Sequence, residues 1–201
     1  MKPARITVLA PSGYRRTPWK NGNGVVIDIA GASRTGCQAG EWSDMLWRFG
    51  RTTIETAGPF SDLSGFDRLQ MVVAGRGLVL QAPTGEIDVR EPFVPVRFEG
   101  ETPILSRLEA GPVEVVNLIA DRLYASIELA LLTARTPERL SPGIHVCYAP
   151  HEACSLYCDG TRYEVAADHA LQVDCDHAVV VEGLVGNALV GSVFPISSRE
   201  S

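Results

Sequence analysis

The chain has 201 residues, of which 45% are hydrophobic and 21% charged, and its formal net charge is −6 at pH 7. A fold of this length buries roughly 70% of the surface of its unfolded chain, which allows a substantial core. The negative charge weakens attraction to polyanions, so we expect no nucleic acid partner. No stretch approaches the ~18 consecutive apolar residues of a membrane span, so we expect no membrane association.

The amino-terminal segment and the cysteines indicate a cytoplasmic protein. The apolar run at residues 6–10 is too short for a secretory signal and is followed directly by Pro11. The five cysteines form no Cys-x-x-Cys pair, and an odd number fits reduced thiols better than a disulfide framework.

Strand signals dominate the first part of the chain. Alternating or continuous apolar runs predict strands at Arg5–Leu9, Val25–Ile29, Thr52–Glu55, Gln70–Val73, Leu78–Gln81, Glu86–Val89, Val94–Phe98, Ile104–Leu108 and Val113–Leu118. Turns rich in glycine and proline separate these runs about every 8 to 12 residues. Many short strands at even spacing predict an all-β sandwich or barrel.

The segment Trp19–Gly24 reads Trp-Lys-Asn-Gly-Asn-Gly and is the most informative stretch of the chain. Its two glycines free the backbone to turn, and the flanking indole, ammonium and amide groups suit the wall of a small-molecule pocket. The simpler interpretation is turn chemistry between two strands, with Trp19 as a core anchor and Lys20 solvated.

The second part of the chain repeats the strand pattern after a polar interruption. Leu123–Ala134 has good helix formers but no clean N-cap, so helix and strand both stay open, and 133–143 has the composition of a linker. The strands predicted after it are Ile144–Ala149, Cys154–Cys158, Thr161–Val165, Ala170–Val173, Ala178–Glu182 and Ala188–Val193. We therefore predict domains at 1–132 and 144–201, the second one smaller and sharing amino-terminal strands.

Six blocks within the first 122 residues together carry a family resemblance: Trp19–Gly24, Trp47–Arg48, Gly58–Ser61, Gly65–Arg68, Phe98–Glu101 and Asn117–Arg122. In this order they resemble the HutD/Ves family. The resemblance implies a bicupin, with two cupin-like β-barrels of the RmlC-like jelly-roll type in one chain. It also implies a regulatory protein of bacterial histidine utilisation rather than a pathway enzyme.

The chain departs from the family pattern at two positions. Asn23 stands where the family usually has a glycine, and Asn tolerates a positive φ better than most residues. Asp28 replaces the customary glutamate, which shortens the reach of the carboxylate by one methylene.

The histidines are placed unfavourably for a cupin metal site. Such a site uses two histidines at i and i+2, because strand alternation points both to the same interior. All four histidines lie in the second half, none in a His-x-His pair; they are His145, His151, His169 and His177. We expect no metal and no cofactor in the first barrel. The alternative is a zinc site in which His145 and Cys147 are joined by His151, Cys154 or Cys158; the simpler interpretation is core filling.

An organic anion in the first barrel needs fixed donors inside an apolar cavity. We place Lys20, Arg48 and Arg68 there as cations, with Trp19 and Trp47 stacking on a flat ring. The predicted ligand-binding set is Trp19, Lys20, Asn21, Gly22, Trp47, Arg48, Phe60, Ser61, Asp67, Arg68 and Asn117. For each arginine alone, the simpler interpretation is a structural ion pair, as between Arg68 and Asp67, or a surface position.

Three functions stay open, and we favour binding over turnover because no known hydrolase, zinc-protease or phosphate-loop motif occurs. The first is a non-catalytic protein that binds a small carboxylate such as urocanate or formate and so tunes pathway flux. The second is a metal-independent isomerase or epimerase, with Asp28 or Asp67 as base and Lys20 or Arg68 stabilising an oxyanion. The third is an interaction protein with a vestigial barrel mouth. Edge strands make a homodimer a reasonable expectation.

Overall fold

The computed structural model describes residues 2–34 and 42–196, and these residues form an all-β protein. The strands in chain order are β1 (Arg5–Leu9), β2 (Arg15–Pro18), β3 (Val25–Ser33), β4 (Met45–Ile54), β5 (Gly58–Pro59), β6 (Phe66–Ala74), β7 (Leu78–Ala82), β8 (Gly85–Val89), β9 (Val96–Glu99), β10 (Leu105–Leu108), β11 (Val113–Asp121), β12 (Ala125–Leu132), β13 (Pro137–Leu140), β14 (Gly143–Ala149), β15 (Cys154–Cys158), β16 (Thr161–Val165), β17 (His169–Cys175), β18 (Val179–Val185) and β19 (Ala188–Pro195). Two short 3-10 turns, Pro11–Gly13 and Trp42–Asp44, are the helical elements of this part of the chain. Neither is long or apolar enough to cross a membrane.

The chain divides into two compact units that differ from the domain boundaries predicted from sequence. One unit is 15–127, and the other joins residues 1–14 to 128–201. The amino-terminal strand belongs with the second unit because β1 pairs antiparallel with β17, where Ile6 lies opposite Val173.

Two segments between the predicted domains are strands. Four residues of the predicted linker form β13, which pairs with β18. The segment Leu123–Ala134, for which the sequence was compatible with both helix and strand, contains β12. Its buried residues Ala125, Ile127 and Leu129 alternate with exposed ones. This period of two suits a strand and would scatter the apolar residues around a helix.

Unit 15–127 contains a six-stranded sheet in the order β2-β3-β4-β11-β6-β9 and a four-stranded sheet in the order β5-β10-β7-β8. Residues of both sheets meet in one core cluster, formed by Ile54, Val72, Leu78, Leu80, Val89, Phe98, Ile104, Val113 and Val115. The central strands β4, β11 and β6 are buried along most of their length. They carry the candidate site.

The other unit contains a five-stranded sheet, β1-β17-β14-β19-β12, and a four-stranded sheet, β13-β18-β15-β16. Its core includes Cys147, Cys154 and Cys158, whose thiols are free and buried. Burial raises the pKa of Cys154 and of Cys158 to about 11, so both stay protonated at neutral pH. In the described ranges no three His, Cys, Asp or Glu side chains group as metal ligands do. Cys37 lies outside the described residues.

Candidate functional site

Three neighbouring strands bring polar side chains together on one face of the six-stranded sheet. Arg48 of β4 and Arg68 of β6 both lie opposite Ile119 of β11, and Gly50 and Gln70 both lie opposite Asn117. Residues two apart on a strand share a face, so these two cross-strand rows point to the same side. With strands about 4.8 Å apart, the Cα atoms of the two arginines are roughly 10 Å apart, within reach of one small molecule.

Both rows line a cavity of about 60 Å³ within unit 15–127. This volume is several times the ~10–15 Å³ that one water molecule needs. The remaining wall is mainly apolar and aromatic, and consists of Trp19, Val26, Trp42, Thr52, Ile54, Phe60, Ser61 and Leu63. Apolar walls with a few convergent polar groups are typical of small-molecule sites.

Arg68 is a buried cation without a counter-ion in the described part of the chain. The residue is 8% exposed, and its guanidinium carbon lies 5.0 Å from the ring centre of Phe60 and 4.9 Å from that of Phe98. Its Nε has no hydrogen-bond partner there. Burial lowers the pKa of Arg68 to about 10 from its ordinary value of 12.5, so the group stays charged at neutral pH. Two aromatic faces stabilise a cation only partly, so the site favours an anion.

Arg48 has a counter-ion but no hydrogen bonds. Its Nε lies 3.2 Å from Oδ1 of Asp28. The other carboxylate oxygen of Asp28, Oδ2, accepts a hydrogen bond from Thr17 at 2.6 Å. The approach is too poorly aligned for a hydrogen bond, and all three guanidinium nitrogens lack a partner among the described residues. The guanidinium carbon lies 4.3 Å from the ring centre of Trp42. Asp28 therefore balances the charge of Arg48 while its N–H groups stay available to a ligand.

The Arg48–Asp28 pair is held in a desolvated position. Burial raises the pKa of Asp28 despite the opposing effects of Arg48 and Thr17, and burial lowers the pKa of Arg48. Both shifts disfavour the charged forms, as expected where neighbouring charges replace only part of the lost hydration.

Two amides add further unused polar groups. Gln70 is 1% exposed and Asn117 is 7% exposed, and the carbonyl oxygens Oε1 and Oδ1 have no hydrogen-bond partner in the described residues. Nearly all buried polar groups in folded proteins are paired, and an unpaired one costs ~1–3 kcal/mol. Four such side chains around one cavity indicate groups that a bound molecule completes.

The loop Trp19–Gly24 contributes Trp19 to the cavity wall and bonds to β5 and the segment after it. Lys20 Nζ donates to the carbonyl of Asp62 at 2.8 Å. Asn21 donates through Nδ2 to the carbonyl of Pro59 at 3.0 Å and through its backbone N–H to Ser61 Oγ at 3.2 Å. Lys20 and Asn21 thus form hydrogen bonds within the protein rather than at the cavity.

The Trp19 indole forms part of the wall because of its neighbours. Its Nε1 donates to Thr52 Oγ1 at 3.2 Å. A Cβ at Gly24 would lie 2.7 Å from the indole ring, so only glycine lets the ring lie against this stretch of backbone. Gly22 is exposed with φ +74°, where it lets the loop turn.

The predicted ligand-binding residues divide into two groups. Those that line the cavity are Trp19, Arg48, Phe60, Ser61, Arg68 and Asn117. The other five predicted residues do not line the cavity. Lys20 was predicted to converge with the two arginines, but it is exposed and donates a hydrogen bond to the carbonyl of Asp62. Asn21 and Gly22 lie in the same loop.

Trp47 and Asp67 also lie outside the cavity, for one reason. Each is one residue away from a lining arginine, and strand alternation places it on the opposite face. Trp47 is buried at 2% exposure, and Asp67 accepts hydrogen bonds from Arg122 at 2.8 Å and Arg97 at 3.1 Å. The suggested ion pair between Asp67 and Arg68 is therefore not formed.

Several lining residues were not foreseen from sequence. Gln70 is the clearest, since it begins the predicted strand Gln70–Val73 and lies two residues after Arg68, and β6 begins earlier, at Phe66, so that both share one face. Trp42 stacks on Arg48 from a 3-10 turn before β4, and nothing in the local sequence marks that contact.

Comparisons with known proteins agree with this architecture. Residues 11–187 match the family model described as HutD. A relative, an uncharacterized 21.2 kDa protein in the hutC 3′ region of Pseudomonas putida, is 29% identical over 146 residues, which cover 65% of this chain and 74% of the relative.

Solved structures show the fold. A conserved protein of unknown function from Pseudomonas aeruginosa PAO1 has a TM-score of 0.81 at 21% identity, and HutD from Pseudomonas fluorescens SBW25, in a formate condition, has 0.76 at 23%. Each match covers 96% of this chain and all of the other chain. The more distant structural neighbours of this all-β chain are cupin-like. The chain belongs to the HutD family.

Proposed function

We propose that this chain is a non-catalytic protein that binds a small organic anion in the cavity of unit 15–127 and acts as a regulatory protein in histidine utilisation. The single observation that carries the proposal is Arg68, a buried cation with no counter-ion among the described residues. A folded protein tolerates such a charge at a cost, and an anionic ligand offsets that cost.

The link to histidine utilisation rests on family membership and on the position of the Pseudomonas putida relative in the hutC 3′ region. Within that pathway the carboxylates urocanate and formate have suitable charge, and one related structure was obtained in a formate condition. We also propose a cytoplasmic location and a bicupin organisation, in which each compact unit is one cupin-type barrel.

Binding is favoured over turnover by what lines the cavity. Its described lining contains no carboxylate, histidine, cysteine or tyrosine, the side chains that most often serve as a general base. Asp28, one base of the isomerase or epimerase alternative, is not among the lining residues, and its carboxylate lies 3.2 Å from Arg48 and accepts a hydrogen bond from Thr17. Asp67 is bonded to two arginines on the opposite face. That alternative therefore has no base positioned at the cavity.

The test is calorimetry and thermal unfolding with formate and urocanate. A ligand at one hundred times its Kd stabilises the folded state by about 2.7 kcal/mol, which gives a clear rise in Tm. The variant Arg68→Met should lose both the heat of binding and this rise. Arg76→Met is the matched control, because Arg76 is exposed in a turn of the same unit and should leave binding unchanged. Equal binding by wild type and Arg68→Met would contradict the proposal.

A further inference from the structure

The charges around the cavity restrict which anions it can bind. Among the described lining residues the ionisable groups are Arg48 and Arg68. Asp28 lies 3.2 Å from Arg48 and balances it, which leaves the positive charge of Arg68. A single carboxylate neutralises that charge. A dicarboxylate leaves one negative charge buried without a partner, which is strongly unfavourable in a desolvated site.

The hydrogen-bonding groups impose a second requirement. A carboxylate has only acceptor atoms, so it can bond the guanidinium groups of Arg48 and Arg68 but cannot satisfy a carbonyl. The side-chain carbonyls of Gln70 and Asn117 are buried without donors among the described residues. Rotating either amide exchanges its oxygen and nitrogen but leaves an acceptor that needs a donor. An N–H or O–H group on the ligand supplies one.

The residues that impose these two requirements lie in adjacent rows of the sheet. Arg48 and Arg68 flank Ile119, and the next row on the same face holds Gln70 and Asn117. Residues two apart on a strand are roughly 7 Å apart, about the length of a small flat acid. A carboxylate at the arginine row therefore places a group at the other end of such a molecule beside the amides.

We propose that the cavity selects small monocarboxylates that carry an N–H or O–H donor. Asp28 sets the charge by neutralising Arg48, and the amides of Gln70 and Asn117 recognise the donor. This inference rests on the proposed function and makes it more specific, because an acid with no second polar group leaves both carbonyls unpaired.

Two isosteric acids isolate the donor requirement. Pyrrole-2-carboxylate and furan-2-carboxylate have nearly the same size and shape. The pyrrole acid has a ring N–H where the furan acid has a ring oxygen. We expect calorimetry to give roughly tenfold tighter binding of the pyrrole acid, the ratio that one unmatched buried hydrogen-bonding group produces. In a Gln70→Met, Asn117→Leu double variant the two acids should bind within about twofold of each other.

A second pair of acids isolates the charge requirement. Fumarate carries two carboxylates, and monomethyl fumarate is nearly the same molecule with one. We expect wild type to bind the monomethyl ester at least about tenfold more tightly. Asp28→Asn removes the charge that balances Arg48 and keeps a side chain able to bond Thr17, so it should reduce or reverse this preference. Circular dichroism and the Tm show whether each variant is folded.

The outcomes separate this inference from the proposed function. Equal affinity of wild type for the pyrrole and furan acids, with both lost in Arg68→Met, overturns donor recognition and leaves an anion site. Preference for fumarate over its monoester in wild type overturns the charge rule. Failure of every monocarboxylate to bind folded wild type overturns both proposals. The wild-type comparisons decide the matter even where a variant fails to fold.

Discussion

Each unit has a cavity lined by buried polar side chains, and the two cavities differ in whether those side chains have hydrogen-bond partners. In the unit that joins residues 1–14 to 128–201, His145 is fully buried, and its Nε2 donates to the carbonyl of Ser141 at 2.8 Å. In this tautomer its Nδ1 accepts a hydrogen bond from the Ser192 hydroxyl at 2.8 Å. A cavity of about 100 Å³ beside it is lined by this completed group.

In unit 15–127 the corresponding groups are incomplete. Arg68 lacks an anion, and Gln70 and Asn117 lack donors, within the ranges that the structure describes. The contrast teaches that a buried polar residue is by itself a poor sign of function, since a satisfied one contributes to folding. Groups that are buried and unsatisfied around one cavity point to a ligand.

The largest expected effect concerns Arg68, the buried group that lacks a partner in unit 15–127. Arg68→Met should lower anion affinity by about 100-fold or more, because the ligand carboxylate loses its buried counter-ion. The same change should stabilise the ligand-free protein by roughly 1–3 kcal/mol, since it removes an unpaired buried charge. Urea unfolding with and without ligand measures both, and loss of stability with unchanged affinity would make Arg68 a structural residue.

The equivalent change in the other unit should have the opposite signature. His145→Ala removes a satisfied buried side chain and leaves Ser192 and the Ser141 carbonyl unpaired, so we expect a loss of ~2–3 kcal/mol in the free energy of unfolding. Anion affinity should stay within twofold of wild type. Urea unfolding and calorimetry on the same preparation check this, and an unstable protein with lost binding would contradict it.

A smaller effect concerns pH. Burial raises the pKa of Asp28, so this carboxyl takes up a proton above the usual pH for aspartate. Protonation removes the charge that balances Arg48, and affinity for an anion should therefore rise as the pH falls through that raised pKa. Methanesulfonate is a suitable probe because it stays ionised throughout. We expect a several-fold gain in wild type and a flat profile in Asp28→Asn; the same slope in both would contradict the assignment.

The smallest expected effect tests the position of Lys20. Lys20→Ala removes one exposed hydrogen bond to Asp62, which is worth about 1 kcal/mol or less, and should change anion affinity by less than twofold. Arg48→Met, by contrast, should weaken binding about tenfold or more. A large loss of affinity in Lys20→Ala would show that the lysine contacts the ligand.

Sequence reasoning was most successful where strand periodicity was clear. The alternating runs predicted an all-β fold. The strand predicted at Thr52–Glu55 began too late, however, since Arg48 and Gly50 share one face of β4 with Thr52. It failed where polar composition was taken as a linker, because the residues of β13 are mostly exposed yet pair with β18. An edge strand of this kind has too few buried side chains to show a pattern.

The site was harder to predict because contacts between residues far apart in the sequence decide which side chains line the cavity. Trp47 was predicted to stack on a ligand ring in the pocket, whereas the tryptophan that lines the cavity beside Arg48 is Trp42, which lies before β4. Which tryptophan meets Arg48 depends on how a short turn returns to the sheet. Sequence spacing does not encode that path, and the same limit applies to Lys20, whose partner lies 42 residues away.

The most direct test is a crystal structure of the protein with pyrrole-2-carboxylate at saturating concentration. We predict electron density in the cavity, with the carboxylate about 2.7–2.9 Å from the guanidinium of Arg68 and the ring N–H facing the carbonyl of Gln70 or Asn117. Density for the acid elsewhere, with only water beside Arg68, would contradict the claim that this buried cation is the anion-binding group.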